Sequence, residues 1–211
     1  MTAVAIFVKT PGLSPVTTRL ARGMGGAHAT KFHRRAAAAV GATARAAAPD
    51  VTPHWAVAEQ DALAHPAWSA FPTLWQGDGD LGTRLDRVYA ALLRDAALTV
   101  RNGGPPYAMG PATDGGFWLF GGRAPVPPDV WHSVAYSRAD TGARLAEALG
   151  RFGSISWLPA LADTDEALDL PALVSALGCL RDPLPEQASL PDWLRTMPQA
   201  PAFPELAQET F

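Results

Sequence analysis

Gly110-Pro111-Ala112-Thr113-Asp114-Gly115-Gly116-Phe117-Trp118-Leu119-Phe120-Gly121-Gly122 sets one carboxylate between a Gly-Pro turn and a Gly-Gly step, then enters an apolar, aromatic run. Glycine permits positive φ and lets a ligand approach the main chain closely. A carboxylate at the mouth of a buried strand is costly unless it meets a cation, a donor or a ligand hydroxyl. Phe117 to Phe120 reads as that strand. A second loop, Gln76-Gly77-Asp78-Gly79-Asp80-Leu81-Gly82, repeats the chemistry immediately before a helix. Its backbone N–H groups can hold a base or phosphate, while Asp80 can equally be the helix N-cap. Together the two segments point to a site for a small polar, phosphorylated ligand.

Working outward, Ala3 to Val8 is a continuous apolar run and reads as a strand buried on both faces. A loop from Lys9 to Gly26 precedes an Ala-rich helix over His28 to Ala48, stopped by Pro49-Asp50. Val51 to Ala58 and Thr73 to Trp75 read as strands. Leu81, Leu85, Val88, Tyr89 and Leu92 carry helical spacing through Leu81 to Ala97. Ser137 is placed as the N-cap of a helix ending at Leu149. Ser154 to Leu158 is a strand, and Thr164-Asp165-Glu166 opens a last helix ending near Leu177. This alternation predicts an α/β fold, a mostly parallel central sheet with helices on both faces. Proline then recurs at positions 183, 185, 191, 198, 201 and 204, which predicts a tail without regular structure. The expected organisation is one domain over 1–180 and a Pro-rich tail over 181–211.

The 211 residues carry a formal net charge of −3, which makes no electrostatic case for nucleic acid or an anionic membrane surface. No stretch approaches the ~20 apolar residues of a membrane span, and Met1 to Val8 is too short for a signal peptide, so a cytoplasmic protein is expected. Cys179, the one cysteine, excludes a disulfide framework and a cysteine-rich metal site. It reads as an ordinary half-buried thiol on a helix. His28, His33, His54, His65 and His132 have no metal-ligand spacing and read as surface or capping residues. No nucleophile elbow is present.

Two further segments carry chemistry. Lys9-Thr10-Pro11-Gly12-Leu13-Ser14-Pro15-Val16-Thr17-Thr18-Arg19 is a Gly/Pro-rich loop after the first strand with a cation at each end. That is where α/β folds place phosphates, although a surface loop with two solvated cations fits the spacing as well. It matches neither the dinucleotide fingerprint nor the P-loop. Asp163-Thr164-Asp165 puts two carboxylates at i and i+2, which can converge on a hard divalent cation; helix capping by Asp163 is the alternative. Lys9, Asp80 and Asp165 all fall on loops beyond the carboxyl ends of strands, the edge where open α/β sheets bind ligands.

These segments in this order resemble the DUF2064 family: Phe7-Val8-Lys9-Thr10-Pro11-Gly12, Thr18-Arg19-Leu20-Ala21, Gln76 to Leu85, Gly110 to Gly121, Val134-Ala135-Tyr136-Ser137 and Asp163 to Leu170. The family comprises glycosyltransferase-like proteins of the nucleotide-diphospho-sugar transferase (GT-A) superfamily, and is similar to guanylyltransferases acting on phospholactate or molybdopterin. The resemblance spans Ala3 to Leu170. It implies a GT-A-like, Rossmann-like domain that binds a nucleotide sugar or nucleoside triphosphate with Mg²⁺ or Mn²⁺, and is compatible with a homodimer. Carried over by position, Lys9 and Arg19 face phosphates. Gln76, Gly77, Gly79, Asp80 and Gly82 hold the base. Thr113, Asp114, Gly115 and Gly116 line the acceptor or sugar pocket, and Asp163 and Asp165 ligate metal.

Two departures stand out. Thr17 occupies the place of the family's lysine before Thr18-Arg19-Leu20. No acidic residue lies between Asp95 and Asp114, where the family carries a strand ending in its principal metal aspartate. The chain is short of one central strand-helix unit there. Two readings follow: a glycosyl or nucleotidyl transferase using a nucleotide-bound donor and a divalent cation, or a degenerate, non-catalytic binder of a nucleotide or sugar phosphate.

Overall fold

The computed structural model describes residues 2–96 and 104–197. They form two compact units. One combines the first strand with Pro49–Asp163, and the other combines Lys9–Ala48 with the chain from Thr164 onward.

The first unit carries all the strands among the described residues. β1 (Thr2–Val8) and β2 (Val51–Val57) pair in parallel from Thr2↔Val51 to Val8↔Val57, and β3 (Thr73–Trp75) adds in parallel to β2. β3 covers only Trp55 to Val57, so Pro53 lies where β2 has a strand on one side alone, the position a residue without N–H tolerates. β1 has a described strand neighbour on one side. Ala3 to Phe7 are therefore half-buried and Val8 alone is fully buried, which corrects the expectation of a strand covered on both faces.

A second sheet has β4 (Tyr107–Pro111) at its centre, antiparallel to β5 (Phe117–Gly122) and parallel to β6 (Ile155–Trp157). Tyr107 and Met109 alternate into a core with Trp131, Leu145, Leu149, Val126, Val130 and Val134. Helices α3 (Leu81–Ala96), α4 (Pro128–Ser133) and α5 (Thr141–Leu149) complete the unit. The N-cap position of α5 is Asp140, not Ser137; Ser137 sits at φ 60° in the turn before it. The place of the missing metal motif, Leu98 to Gly103, lies outside the described residues.

The second unit is helical. Within the supposed loop, α1 (Thr18–Met24) forms, followed by α2 (Gly26–Ala46), the expected Ala-rich helix. Asp165 and Glu166 lead not into an α-helix but into a 3₁₀ turn over Ala167–Asp169, and α6 (Leu170–Gly178) starts after it. The Pro-rich segment is regular over Pro185–Arg195, where α7 forms. Pro185 occupies the first turn, where no N–H is needed, and Leu184 N–H donates to Gln187 Oε1 at 2.9 Å. Leu190, Pro191 and Leu194 are buried with Leu20, Met24, Phe32, Leu170 and Val174, so packing sustains a helix that propensity opposes. Trp193 adds a cationic face, with Lys31 Nζ 5.4 Å and the Arg35 guanidinium 5.2 Å from its ring. Cys179 caps α6 and is exposed rather than half-buried. No helix among the described residues is long and apolar enough to cross a membrane.

Candidate functional site

The Gly110–Gly122 segment is a strand, a tight turn and a returning strand. Ala112 N–H donates to Gly116 O at 3.1 Å, and Gly115 N–H donates to Ala112 O at 3.1 Å. Asp114 Oδ1 accepts from Gly116 N–H at 2.8 Å, an Asx turn that fixes the carboxylate at the tip. The two glycines answer to the neighbouring helix. Gly115 has φ 88°, and a Cβ there would stand 1.8 Å from Ala139 O. Gly142, at the start of α5, donates to Gly115 O at 2.8 Å, and its own Cβ would stand 2.7 Å from Gly116 O. Gly115 and Gly142 thus let this turn seat against the start of α5.

The turn also binds the chain beyond β6. Leu161 N–H donates to Pro111 O and Thr113 N–H donates to Leu161 O, at 3.1 and 3.0 Å. This short ladder carries Asp163 toward Asp114: both are exposed, and a carboxylate oxygen of one lies within 4.8 Å of the other. Two sites that are 49 residues apart in sequence numbering (114 to 163) therefore converge at one strand end. Paired carboxylate oxygens suit a hard cation such as Mg²⁺ or Mn²⁺.

The Gln76–Gly82 loop spends its polar groups differently. Gln76 is buried, and its Nε2 donates to Val8 O at 3.1 Å and Ala56 O at 2.8 Å, tying together the carboxyl ends of β1 and β2. Gly77, at φ 86°, leaves room for Arg87, whose guanidinium lies 5.0 Å from the Trp75 ring centroid. Asp80 Oδ1 accepts from Thr83 N–H at 2.9 Å and Thr83 Oγ1–H at 2.8 Å, so Asp80 is the N-cap of α3. Those bonds from Thr83 hold its carboxyl below the ordinary value. Gly82 admits α4, since a Cβ would meet Trp131 O at 2.7 Å. Gly79, with Asp78, is left at the surface. His132 Nε2 lies 3.4 Å from Thr83 Oγ1, and the Tyr136 phenol is pushed up to about 12, chiefly by burial and then by the Asp80 charge. The sequence marked His132 only as a surface or capping residue and Tyr136 only as part of the resemblance, because nothing in the spacing joins residues 132 and 136 to residue 80.

In the helical unit, Lys9 is exposed and its carbonyl oxygen lies 2.9 Å from His33 Nε2. Thr17 takes a left-handed φ of 45° and donates from Oγ1 to Ala29 O at 3.1 Å. Arg19 pairs with Asp165 at 2.5 Å, the two side chains being partly exposed. Asp165 N–H and Glu166 N–H both donate to Asp169 Oδ2, at 2.9 and 2.7 Å. The expected phosphate cation and the expected metal ligand are thus each other's partners.

No protein-family model matches the chain, and no curated protein matches it significantly. Among solved structures, the chain is similar to a protein from Desulfovibrio desulfuricans G20 provisionally described as a nucleotide-diphospho-sugar transferase. The TM-score is 0.77 at 20% identity, over 93% of this chain and 96% of that one. The likeness is one of fold, an α/β architecture with a parallel sheet and helices, as the sequence predicted.

Proposed function

We propose that this protein is a GT-A-like transferase that moves a glycosyl group from a nucleotide-bound donor with the help of a divalent cation. The observation that carries the reading is the meeting of Asp114 and Asp163 at the end of the β4 and β6 strands. It occurs in a chain whose fold matches that of a protein provisionally described as a nucleotide-diphospho-sugar transferase. Asp114 and Asp163 would hold the metal. The cation would supply charge neutralisation for a departing diphosphate.

The chain's own residues would do the rest. Within the helical unit, Lys9 and Arg19 would meet phosphate oxygens, Arg19 exchanging its Asp165 partner for one. The surface glycine Gly79, with its neighbour Asp78, is where the Gln76–Gly82 loop can approach a base. Thr113, at the tip beside Asp114, would accept or donate at a sugar hydroxyl. Gln76, Gly82, Gly115 and Gly116 support these positions from behind.

A second reading, a non-catalytic nucleotide or sugar-phosphate binder, is favoured by one specific observation. Arg19 and Asp165 are paired with each other, which leaves charge balanced without ligand. A thermal-shift panel of nucleotide sugars and nucleoside triphosphates, with and without Mn²⁺, tests the family of readings, since a bound ligand raises stability with its concentration over Kd. A metal-dependent rise that Asp114→Asn abolishes supports the transferase. A rise indifferent to metal and to Asp165→Ala supports the binder. No rise with any nucleotide overturns both.

A further inference from the structure

The β4–β5 pairing is irregular at one place: Gly110 faces Leu119 and Pro111 faces Phe117, so Trp118 is the extra residue of a bulge. Bulges re-aim side chains. Here the indole is turned across β4, over Gly110, where a Cβ would lie 2.4 Å from Trp118 Cε2. Its Nε1–H donates to Pro159 O at 3.1 Å, on the chain that follows β6. The single polar atom of the ring is therefore satisfied within the protein. Nevertheless 43% of the residue is exposed, and Leu161, two residues past Pro159, is 49% exposed. Leu161 in turn bonds Pro111 and Thr113, beside Asp114, so platform and carboxylates belong to one connected strand end. A tryptophan that only filled the bulge would be buried; this one is oriented through Nε1, packed over Gly110, and still partly exposed.

We infer that Trp118 is a stacking platform for a carbohydrate ring, held beside Asp114. The inference rests on the transferase reading and names the class of group it handles. A sugar ring has an apolar C–H face that covers an indole, and hydroxyl donors around its rim. Ionised carboxylates are acceptors only, and so match those hydroxyls. A nucleobase edge mixes acceptors with donors and would leave acceptors facing Asp114. The sugar can arrive on the nucleotide donor or as a free acceptor.

The test is calorimetric titration of the full chain in MnCl₂ with UDP, GDP, ADP and dTDP, each bare and as its hexose conjugate, and with free methyl glucosides. Wild type, Trp118→Ala and Trp118→Phe are compared, with circular dichroism confirming that each is folded. If the ring stacks a donor sugar, Trp118→Ala weakens the hexose conjugate about tenfold and the bare diphosphate less than twofold, with Trp118→Phe in between. If it stacks an acceptor, the same pattern falls on the glucosides alone. Equal weakening of bare diphosphate and conjugate, or no change in either, overturns the platform while leaving the transferase reading intact. Trp118-dependent binding of glucosides with no nucleotide binding overturns the transferase reading and keeps the platform. No binding of any probe overturns both.

Discussion

The Gln76–Gly82 loop and the Thr113–Gly116 turn are the same kind of sequence, aspartate among glycines at a strand end, yet the fold uses them in opposite ways. In the first, Gln76 clamps two backbone carbonyls and Asp80 caps α3, so each named polar side chain is consumed by the scaffold. In the second, backbone hydrogen bonds and close glycine packing hold the scaffold, and the Asp114 carboxylate, although its Oδ1 accepts from Gly116 N–H, stands beside another carboxylate. Like charges at such a distance repel in the absence of a cation, whereas a capping aspartate lowers the energy of its helix without any ligand. Composition marks a strand end; the partners of the carboxylate tell a support from a site.

The largest effect expected is on the packing of the second turn. Gly115→Ala forces a Cβ onto Ala139 O at a positive φ, and should cost on the order of 3 kcal/mol or more in urea denaturation. A loss below about 1 kcal/mol would mean the turn moves away from α5 without penalty. Next comes the first loop, where Gln76→Ala removes the buried amide that bonds Val8 O and Ala56 O, Val8 O keeping Ala58 N–H, and a loss of about 1 kcal/mol is expected. Nucleotide affinity per folded molecule should change little. A folded Gln76→Ala protein that has lost nucleotide binding would break the contrast, because it would make Gln76 a ligand contact.

The smallest effect is on the cap. Asp80→Ala should lower the melting temperature slightly at neutral pH. The folded carboxyl lies below its ordinary 3.8, so its contribution is full above that value and disappears as pH falls through the lowered folded value. Wild type and Asp80→Ala should therefore converge in stability under strong acid. A gap that persists there would show that capping is not what Asp80 does.

Much of this scaffold was legible in the chain itself. β2, β3, β5 and α3 lie where alternation and helical spacing put them, and Asp80 is the cap that was weighed against a ligand role. The convergence of residues 114 and 163 was not legible: the sheet-edge reading named Lys9, Asp80 and Asp165, and spacing alone cannot say which strands are neighbours. β4 was hidden by Pro105-Pro106 before it and Gly110-Pro111 at its end, which read as loop although Tyr107 and Met109 are core. α7 was hidden because proline counts against a helix, while Pro185 stands at the N-terminus and Pro191 is held by burial. Trp118 read as one more apolar strand residue; the bulge that turns it across Gly110 and leaves it partly exposed is a matter of pairing. Where local propensity and tertiary contact disagreed, contact prevailed.

The central claim is that Asp114 and Asp163, unlike Asp80, are there for a cation. Its most direct test is the affinity for Mn²⁺, measured by calorimetry or paramagnetic resonance in the presence of a nucleotide that stabilises the protein. Asp114→Asn and Asp163→Asn should each weaken Mn²⁺ at least about tenfold, as loss of one hard oxygen ligand does, while Asp80→Asn leaves it unchanged. Undiminished Mn²⁺ binding in the Asp114→Asn, Asp163→Asn double variant would contradict the account.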